Sequence, residues 1–363
     1  MKICFLSLNS YPVLAEKNLG SAGGAEVEQV SLAKELVSYG YDVSLVTYDY
    51  GQKHLDNVGK IRVIKTYRRE KASEMNSFMK FAYIWKALRK ANADLYFYEA
   101  GSDGVLPFFS YINNKKFLYR VPSDAVVLGG TGKVAIRFAH RLEMERADAI
   151  VAQSQFQKEI LKEKFDVQSV IIKNGLKLQQ IDCEKWIPPV VLWVGTISNV
   201  KRPTLFLALA KALPHVRFEM VGGRTEKNSK LFESVENAAK QLENVVFHGF
   251  VPYHEVDNYF KGASIFVNTS SVEGFPNTFI QAWACCTPVV SLRVDPDKII
   301  QNENLGFCSG TFQRLISDVA TLVENEQLRK SMGEKGRRYV EREHDIKKVV
   351  KKYIKIFEEI LYK

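Results

Sequence analysis

Ser270-Ser-Val-Glu273-Gly274-Phe275-Pro276-Asn277-Thr-Phe-Ile-Gln281-Ala-Trp-Ala-Cys-Cys-Thr-Pro-Val-Val290 changes its hydrophobic period twice over a short distance. The apolar run before it, Ser264 to Thr269, reads as a buried strand. Glu273-Gly274 forms a turn, and Pro276 suits the first turn of a helix, where its missing N–H costs nothing. Thr278 to Cys285 reads as that helix, and Thr287-Pro288 stops it before a strand at Val289–Leu292. A strand, a glycine turn and a helix N-terminus together make an anion site, because free N–H groups point outward and the dipole favours negative charge. Glu273 stands beside that site and Gln281 follows two helical turns on. The plain alternative is an ordinary connection whose Glu is a solvated turn residue.

Outward from this stretch the same plan recurs. In the second half Val190–Val194, Phe218–Val221, Val245–Phe247 and Ile265–Asn268 read as strands between helices at Pro203–Leu213, Ser229–Leu242, Tyr253–Lys261 and Phe279–Cys285. In the first half Ile3–Leu8, Val43–Tyr48, Ile61–Thr66, Leu95–Tyr98, Phe117–Val121 and Ala149–Gln153 read as strands, several nearly all apolar, as strands buried on both faces should be. Alternation of strand and helix argues an α/β fold with parallel, doubly wound sheets. Asp182-Cys-Glu-Lys-Trp-Ile-Pro188-Pro189 breaks both periodicities and reads as a linker. The expected division is therefore 1–182, a linker at 183–189, 190–344, and a final amphipathic helix at 345–363. Two Rossmann-like domains place a ligand crevice at the carboxyl ends of their strands.

Composition excludes several classes. The 363 residues suffice for two domains, with 46% hydrophobic and 25% charged residues, an ordinary globular balance. No run approaches the roughly 18 apolar residues that span a bilayer, and the N-terminus reads as a first strand rather than a signal peptide. Five scattered cysteines without C-x-x-C or zinc spacing fit a reducing cytosol. The net charge of +10 comes without a nucleic-acid motif, which leaves an anionic membrane surface or phosphorylated substrates as partners, while a lysine-rich solvated surface accounts for most of it. Asp295-Pro-Asp297 reads as a helix cap, and no cluster has metal-ligand spacing.

The segment from Glu273 to Val290 resembles the E-x7-E region of retaining glycosyltransferases of the GT-B fold, of the large family 4 (group 1) type. The usual pattern is E-G-[FL]-P-x-x-x-x-E-A-x-A-x-G-x-P-V-V. Glu273, Gly274, Phe275, Pro276, Ala282, Ala284, Pro288, Val289 and Val290 match it. Gln281 replaces the second Glu, so an amide would meet the ribose diol there. The resemblance covers nearly the whole chain. It implies a nucleoside-diphosphate sugar as co-substrate, a glycan or lipid-linked acceptor, no metal, no other cofactor and no nucleic acid. It places the enzyme in cell-envelope polysaccharide synthesis, cytoplasmic or peripheral on the membrane.

The resemblance also assigns roles. Gly23 and Gly24 match a glycine loop against the donor diphosphate. In Gly195-Thr196-Ile-Ser-Asn-Val-Lys201-Arg202, Lys201 matches a phosphate-holding base, Thr196 stands where Arg is usual, and Arg202 is expected to supply part of the missing charge. Glu273, Lys201 and Arg202 are thus the catalytic candidates. Gly222, Phe250 and Val251 would border the base and ribose. Gly274, Phe275, Pro276, Asn277 and Gln281 would complete the donor site. The histidine that many relatives carry after the fourth strand is missing, and Glu99, Asp103, Ser123 and Asp124 are the polar candidates on the acceptor side. Such enzymes often send the final helix back onto the N-terminal domain; a lysine-flanked helix of this kind could alternatively lie on a membrane. The aromatic, basic helix Ser77–Lys90 could dock a lipid-linked acceptor, or its aromatics could all be core. A nucleotide-sugar epimerase and a binding protein that kept the fold without turnover are the competing functions.

Overall fold

The computed structural model describes residues 1–17, 23–53, 56–99, 104–129, 134–179, 185–224 and 228–362. Two compact units emerge, one of Met1–Lys177 with Ile346–Lys363, the other of Leu178–Asp345.

The first unit runs β1 (Lys2–Leu6), α1 (Tyr11–Leu14), α2 (Gly24–Ser38), β2 (Asp42–Asp49), β3 (Asp56–Val58), β4 (Ile61–Arg68), α3 (Ser77–Ala91), β5 (Leu95–Tyr98), α4 (Val105–Asn113), β6 (Lys116–Arg120), α5 (Asp124–Val127), α6 (Val134–Arg146), β7 (Ala149–Ala152), α7 (Gln155–Phe165) and β8 (Val170–Ile171). Its eight-stranded sheet has the order β3-β4-β2-β1-β5-β6-β7-β8, parallel throughout except for β3. Short β3 and β8 lie at the sheet's edges. Neither has the apolar run that marks a central strand, which is why they escape a reading of periodicity. Strands β1, β5 and β6 are buried on both faces, as their near-continuous apolar sequences require.

The second unit runs β9 (Val190–Val194), α8 (Pro203–Ala212), β10 (Arg217–Val221), α9 (Ser229–Ala239), β11 (Val245–Gly249), α10 (Tyr253–Gly262), β12 (Ile265–Asn268), α11 (Asn277–Ala284), β13 (Val289–Ser291), α12 (Ile299–Asn302), β14 (Gly306–Cys308), α13 (Phe312–Glu324) and α14 (Glu326–Glu343). Its six strands are all parallel in the order β11-β10-β9-β12-β13-β14. One face carries a mixed aliphatic and aromatic core around Val191, Phe206, Phe218 and Val290. The other is lined by rings in series, Phe260, Phe266, Phe279, Trp283 and Tyr339.

The expected linker needs correction. Residues 183 and 184 lie outside the described residues, and Lys185 to Pro189 are built into the second unit. The Trp186 N–H donates to the Gly262 carbonyl at 2.8 Å, and its ring occupies the space a Cβ at 262 would need. Lys185 Nζ donates to the carbonyls of Lys261 and Cys285 and to Thr287 Oγ1, at 3.2, 2.6 and 2.7 Å, closing the ends of α10 and α11. A double proline breaks secondary structure without freeing a segment from its domain.

The last helix, α15 (Ile346–Tyr362), belongs to the first unit. Its Val349, Val350, Tyr353, Ile356, Phe357 and Ile360 enter the core formed by α2 and the sheet. Gly175 lets the chain before it approach: a Cβ there would meet Ile346 Cδ1 at 2.4 Å.

Candidate functional site

In a doubly wound sheet the crevice forms where the strand order reverses. In the second unit that point lies between β9, whose next strand goes one way, and β12, which starts the other wing. The loops leaving these two strands carry Gly195–Arg202 and Ser270–Pro276.

Hydrogen bonds zip these loops together. Trp193 Nε1 donates to Thr269 Oγ1 at 3.0 Å, and Thr269 Oγ1 donates to the Lys201 carbonyl at 2.7 Å. The Ser271 N–H donates to the Val200 carbonyl at 2.8 Å. This frame brings Lys201 Nζ onto Glu273 Oε1, and Ser270 Oγ donates to the same oxygen at 2.7 Å. Lys201 and Glu273, far apart in sequence, therefore meet, both only partly exposed.

Arg202 stands beside them in another role than expected. Its Nε donates to the Thr269 carbonyl at 2.8 Å and its Nη2 to that of Ser270 at 2.9 Å. The guanidinium is turned onto the backbone, where it braces the loop leading to Glu273. Its pKa is held below the ordinary value by burial and by the charge of Arg293. Its own backbone is left-handed, with φ of 47°, just before Pro203 opens α8.

The neighbouring strand ends are stitched to β9. The Gly195 N–H donates to the Val221 carbonyl at 3.0 Å, and that of Gly222 to the Gly249 carbonyl at 2.9 Å. Only glycine fits at 222, since a Cβ would lie 2.7 Å from Ile197 Cδ1 and 2.9 Å from the Gly195 oxygen. Thr196 is half-buried, Phe250 is exposed at the end of β11 against Gly223, and Val251 is half-buried behind it.

In the turn into α11, Gly274 and Pro276 are buried and Asn277 is half-buried. Pro276 precedes the helix as its cap residue rather than lying in its first turn. Phe275 is also buried, its ring 4.9 Å from that of His344. A ligand at this turn can therefore meet backbone groups of Phe275 but not its ring. Gln281 is set apart: it is buried, and its Nε2 donates to Asp257 Oδ1 of α10 at 3.1 Å. Burial raises the Asp257 carboxyl above its usual range, and the Gln281 hydrogen bond opposes that.

The first unit's reversal lies at β1 and β5. Gly23 caps α2, and its N–H donates to Glu26 Oε2 at 2.9 Å while Gly24 begins the helix. Glu99, expected as a polar candidate on the acceptor side after β5, is buried in a polar network instead. It accepts from Arg120, which also donates to Asn174 Oδ1, and from Gln29 Nε2 at 3.2 Å. Glu28 accepts the Gly175 N–H on both oxygens at 2.9 and 3.0 Å. Burial pushes both Glu28 and Glu99 up to about 7, opposed by the Arg120 charge. Sequence reading missed Glu28, Gln29 and Asn174, because polar residues at helical or loop positions look solvated until the chain folds over them. Ser123 caps the short α5 without using its hydroxyl on the helix, and Asp124 Oδ1 accepts from Gln157 Nε2 at 2.9 Å. Asp103 lies outside the described residues.

Asp295 Oδ1 accepts the Ile300 N–H at 2.8 Å, so it serves its own turn. Among the described residues no three His, Cys, Asp or Glu side chains gather as a metal site, and no helix is long and apolar enough to cross a membrane.

Two family models match the chain: Glycosyl transferases group 1 over residues 184–339 and Glycosyltransferase Family 4 over residues 22–180. A Haemophilus influenzae protein described as an uncharacterized glycosyltransferase is 24% identical over 353 residues, 93% of this chain and 96% of that one. A sucrose-phosphate synthase structure from Thermosynechococcus elongatus superposes with a TM-score of 0.82 at 18% identity, covering 100% of this chain and 99% of that one. The Anabaena protein HepE, solved with UDP and glucose, superposes with a TM-score of 0.76 at 17% identity, covering 99% and 100%.

Proposed function

Because this chain belongs to the GT-B glycosyltransferases of the family 4, group 1 type, we propose that it is a retaining, metal-independent enzyme. It moves a sugar from a nucleoside-diphosphate donor to a glycan or lipid-linked acceptor in cell-envelope polysaccharide synthesis. The observation that supports this most is the meeting of Lys201 and Glu273 at the sheet's reversal point. The UDP and glucose of the Anabaena structure support a nucleotide sugar as the donor class.

Without donor, the two side chains satisfy each other. With donor, the ammonium turns to the diphosphate and the carboxylate to sugar hydroxyls, holding the anomeric carbon in place. Ser270 keeps the Glu273 carboxylate oriented, and Arg202 keeps the loop. The bond from the anomeric carbon to the diphosphate breaks, and the acceptor oxygen bonds on the same face. Its proton passes to the departing phosphate oxygen. Stabilising the leaving diphosphate is then the main electrostatic task, which falls to Lys201 and the N–H groups opening α11.

Thermal unfolding with UDP, GDP, ADP and CMP, each with and without EDTA, tests the donor site. A nucleotide at about 100 times its Kd adds about 2.7 kcal/mol. One of them should shift the transition with or without EDTA, and Lys201→Ala or Glu273→Ala should remove the shift. NMR of the product should then show the donor's anomeric configuration retained. Gln281, whose amide is engaged by Asp257, favours one rival, a binding protein without turnover. A nucleotide shift without transfer would select it, release of a free epimer would select an epimerase, and no shift at all would overturn the donor site.

A further inference from the structure

Helices α3 and α4 pack side by side on one face of the first unit's sheet, Trp85 meeting Phe109 edge-on with centroids 5.1 Å apart. Their inner faces are core. Their outer faces are apolar as well: Phe78 is 79% exposed, Tyr111 77% and Ile112 65%, with Met79, Tyr83 and Phe108 exposed among them. On α3 these residues share the outward side with Lys86, Arg89 and Lys90, all exposed. None of those three cations is in an ion pair among the described residues. Neither helix contains an Asp or Glu. From the end of α6, the Arg146 guanidinium covers the Tyr111 ring at 5.7 Å.

We infer that the α3–α4 face is a membrane-docking surface that seats on anionic phospholipid headgroups. The rings and Ile112 enter the headgroup–acyl boundary while the cations stay at the level of the lipid phosphates. Two features select a lipid surface over a protein partner. Exposed apolar residues dispersed among unpaired cations of one sign fit a plane of like negative charges. Long basic side chains also reach back to the headgroups while their stems cover apolar surface. This inference does not rest on the donor reading, because no residue of the donor site takes part.

Cosedimentation of the full chain with vesicles tests it, using phosphatidylcholine alone against phosphatidylcholine and phosphatidylglycerol in equal parts. The chain should bind the anionic vesicles, less so as salt rises. The variant Lys86→Glu/Arg89→Glu/Lys90→Glu should weaken partitioning at least about tenfold, since each reversed charge turns attraction to the lipid phosphates into repulsion. The variant Phe78→Ser/Tyr83→Ser/Tyr111→Ser should bind weakly even in low salt. Both variants should still unfold in one cooperative transition and keep the wild-type response to nucleotides, which separates this test from that of the donor site. Equal binding to neutral and anionic vesicles, unaltered binding by either variant, or no binding at all would overturn the inference. So would a dimer in sedimentation velocity that the serine variant dissociates, which would give the face to a second copy of the chain.

Discussion

Helices α3 and α15 are written in almost the same sequence style and end in opposite situations. Each is long, basic, and apolar at helical spacing. In α15 Val349, Val350, Tyr353, Ile356, Phe357 and Ile360 are buried, Ile354 is half-buried, and the lysines Lys347, Lys348, Lys351, Lys352 and Lys355 are exposed. In α3 one stripe, Ile84, Ala87, Leu88 and Ala91, is buried, and a second one, Phe78, Met79 and Tyr83, is in solvent. The lesson is that an amphipathic helix with lysines does not announce its partner. A sheet face with room for one more helix took α15, whereas α3 carries more apolar surface than its sheet can cover.

Truncating α15 should give the largest effect. Phe357 is wholly buried against Tyr353, so Phe357→Ala should lower the unfolding free energy by about 3–5 kcal/mol in urea titration. A loss below about 1 kcal/mol would mean that the helix is not part of the first unit's core. A smaller effect should come from the polar network beneath α15, where the Tyr353 hydroxyl faces Arg120 without a hydrogen bond of ordinary geometry. Glu28 and Glu99 hold their protons up to about 7 in the folded chain but release them near their ordinary 4.5 when unfolded. Their contribution is therefore present at low pH and lost as pH rises through about 7. The unfolding temperature of wild type should fall between pH 5 and 8 more steeply than that of Glu28→Gln, and parallel slopes would refute the titration. The smallest effect belongs to α3: Phe78→Ser should change stability by less than about 0.5 kcal/mol. A loss comparable to that of Phe357→Ala would show that the outer stripe is packed after all.

Much of the fold was readable because buried parallel strands are nearly all apolar and their helices keep a strict period. The edges were not: β3, β8 and β14 are two or three residues long and lack any such pattern. Within the site, the motif beginning at Glu273 and the basic pair Lys201-Arg202 were legible as residue types at fixed spacing. Which cation meets the carboxylate was not. Adjacent residues at a loop–helix junction point in different directions, and a left-handed backbone at Arg202 turns one guanidinium onto the carbonyls of Thr269 and Ser270. Gln281 was read as a ribose contact from the pattern, yet α10 supplies Asp257 as its partner, a contact between helices that no local spacing encodes.

By itself, then, the sequence determined the two α/β domains, the strand–turn–helix at Glu273 and the basic loop at Lys201, because period, turn chemistry and residue type are local properties. The tertiary structure alone decided that Lys201 rather than Arg202 faces Glu273, that Glu99 is sealed beneath Arg120, that Trp186 belongs to a domain rather than a linker, and that α15 is covered where the outer stripe of α3 is not. Each of these depends on which distant surfaces meet, and burial of a charge or a ring is a property of the pair of surfaces and of neither one alone.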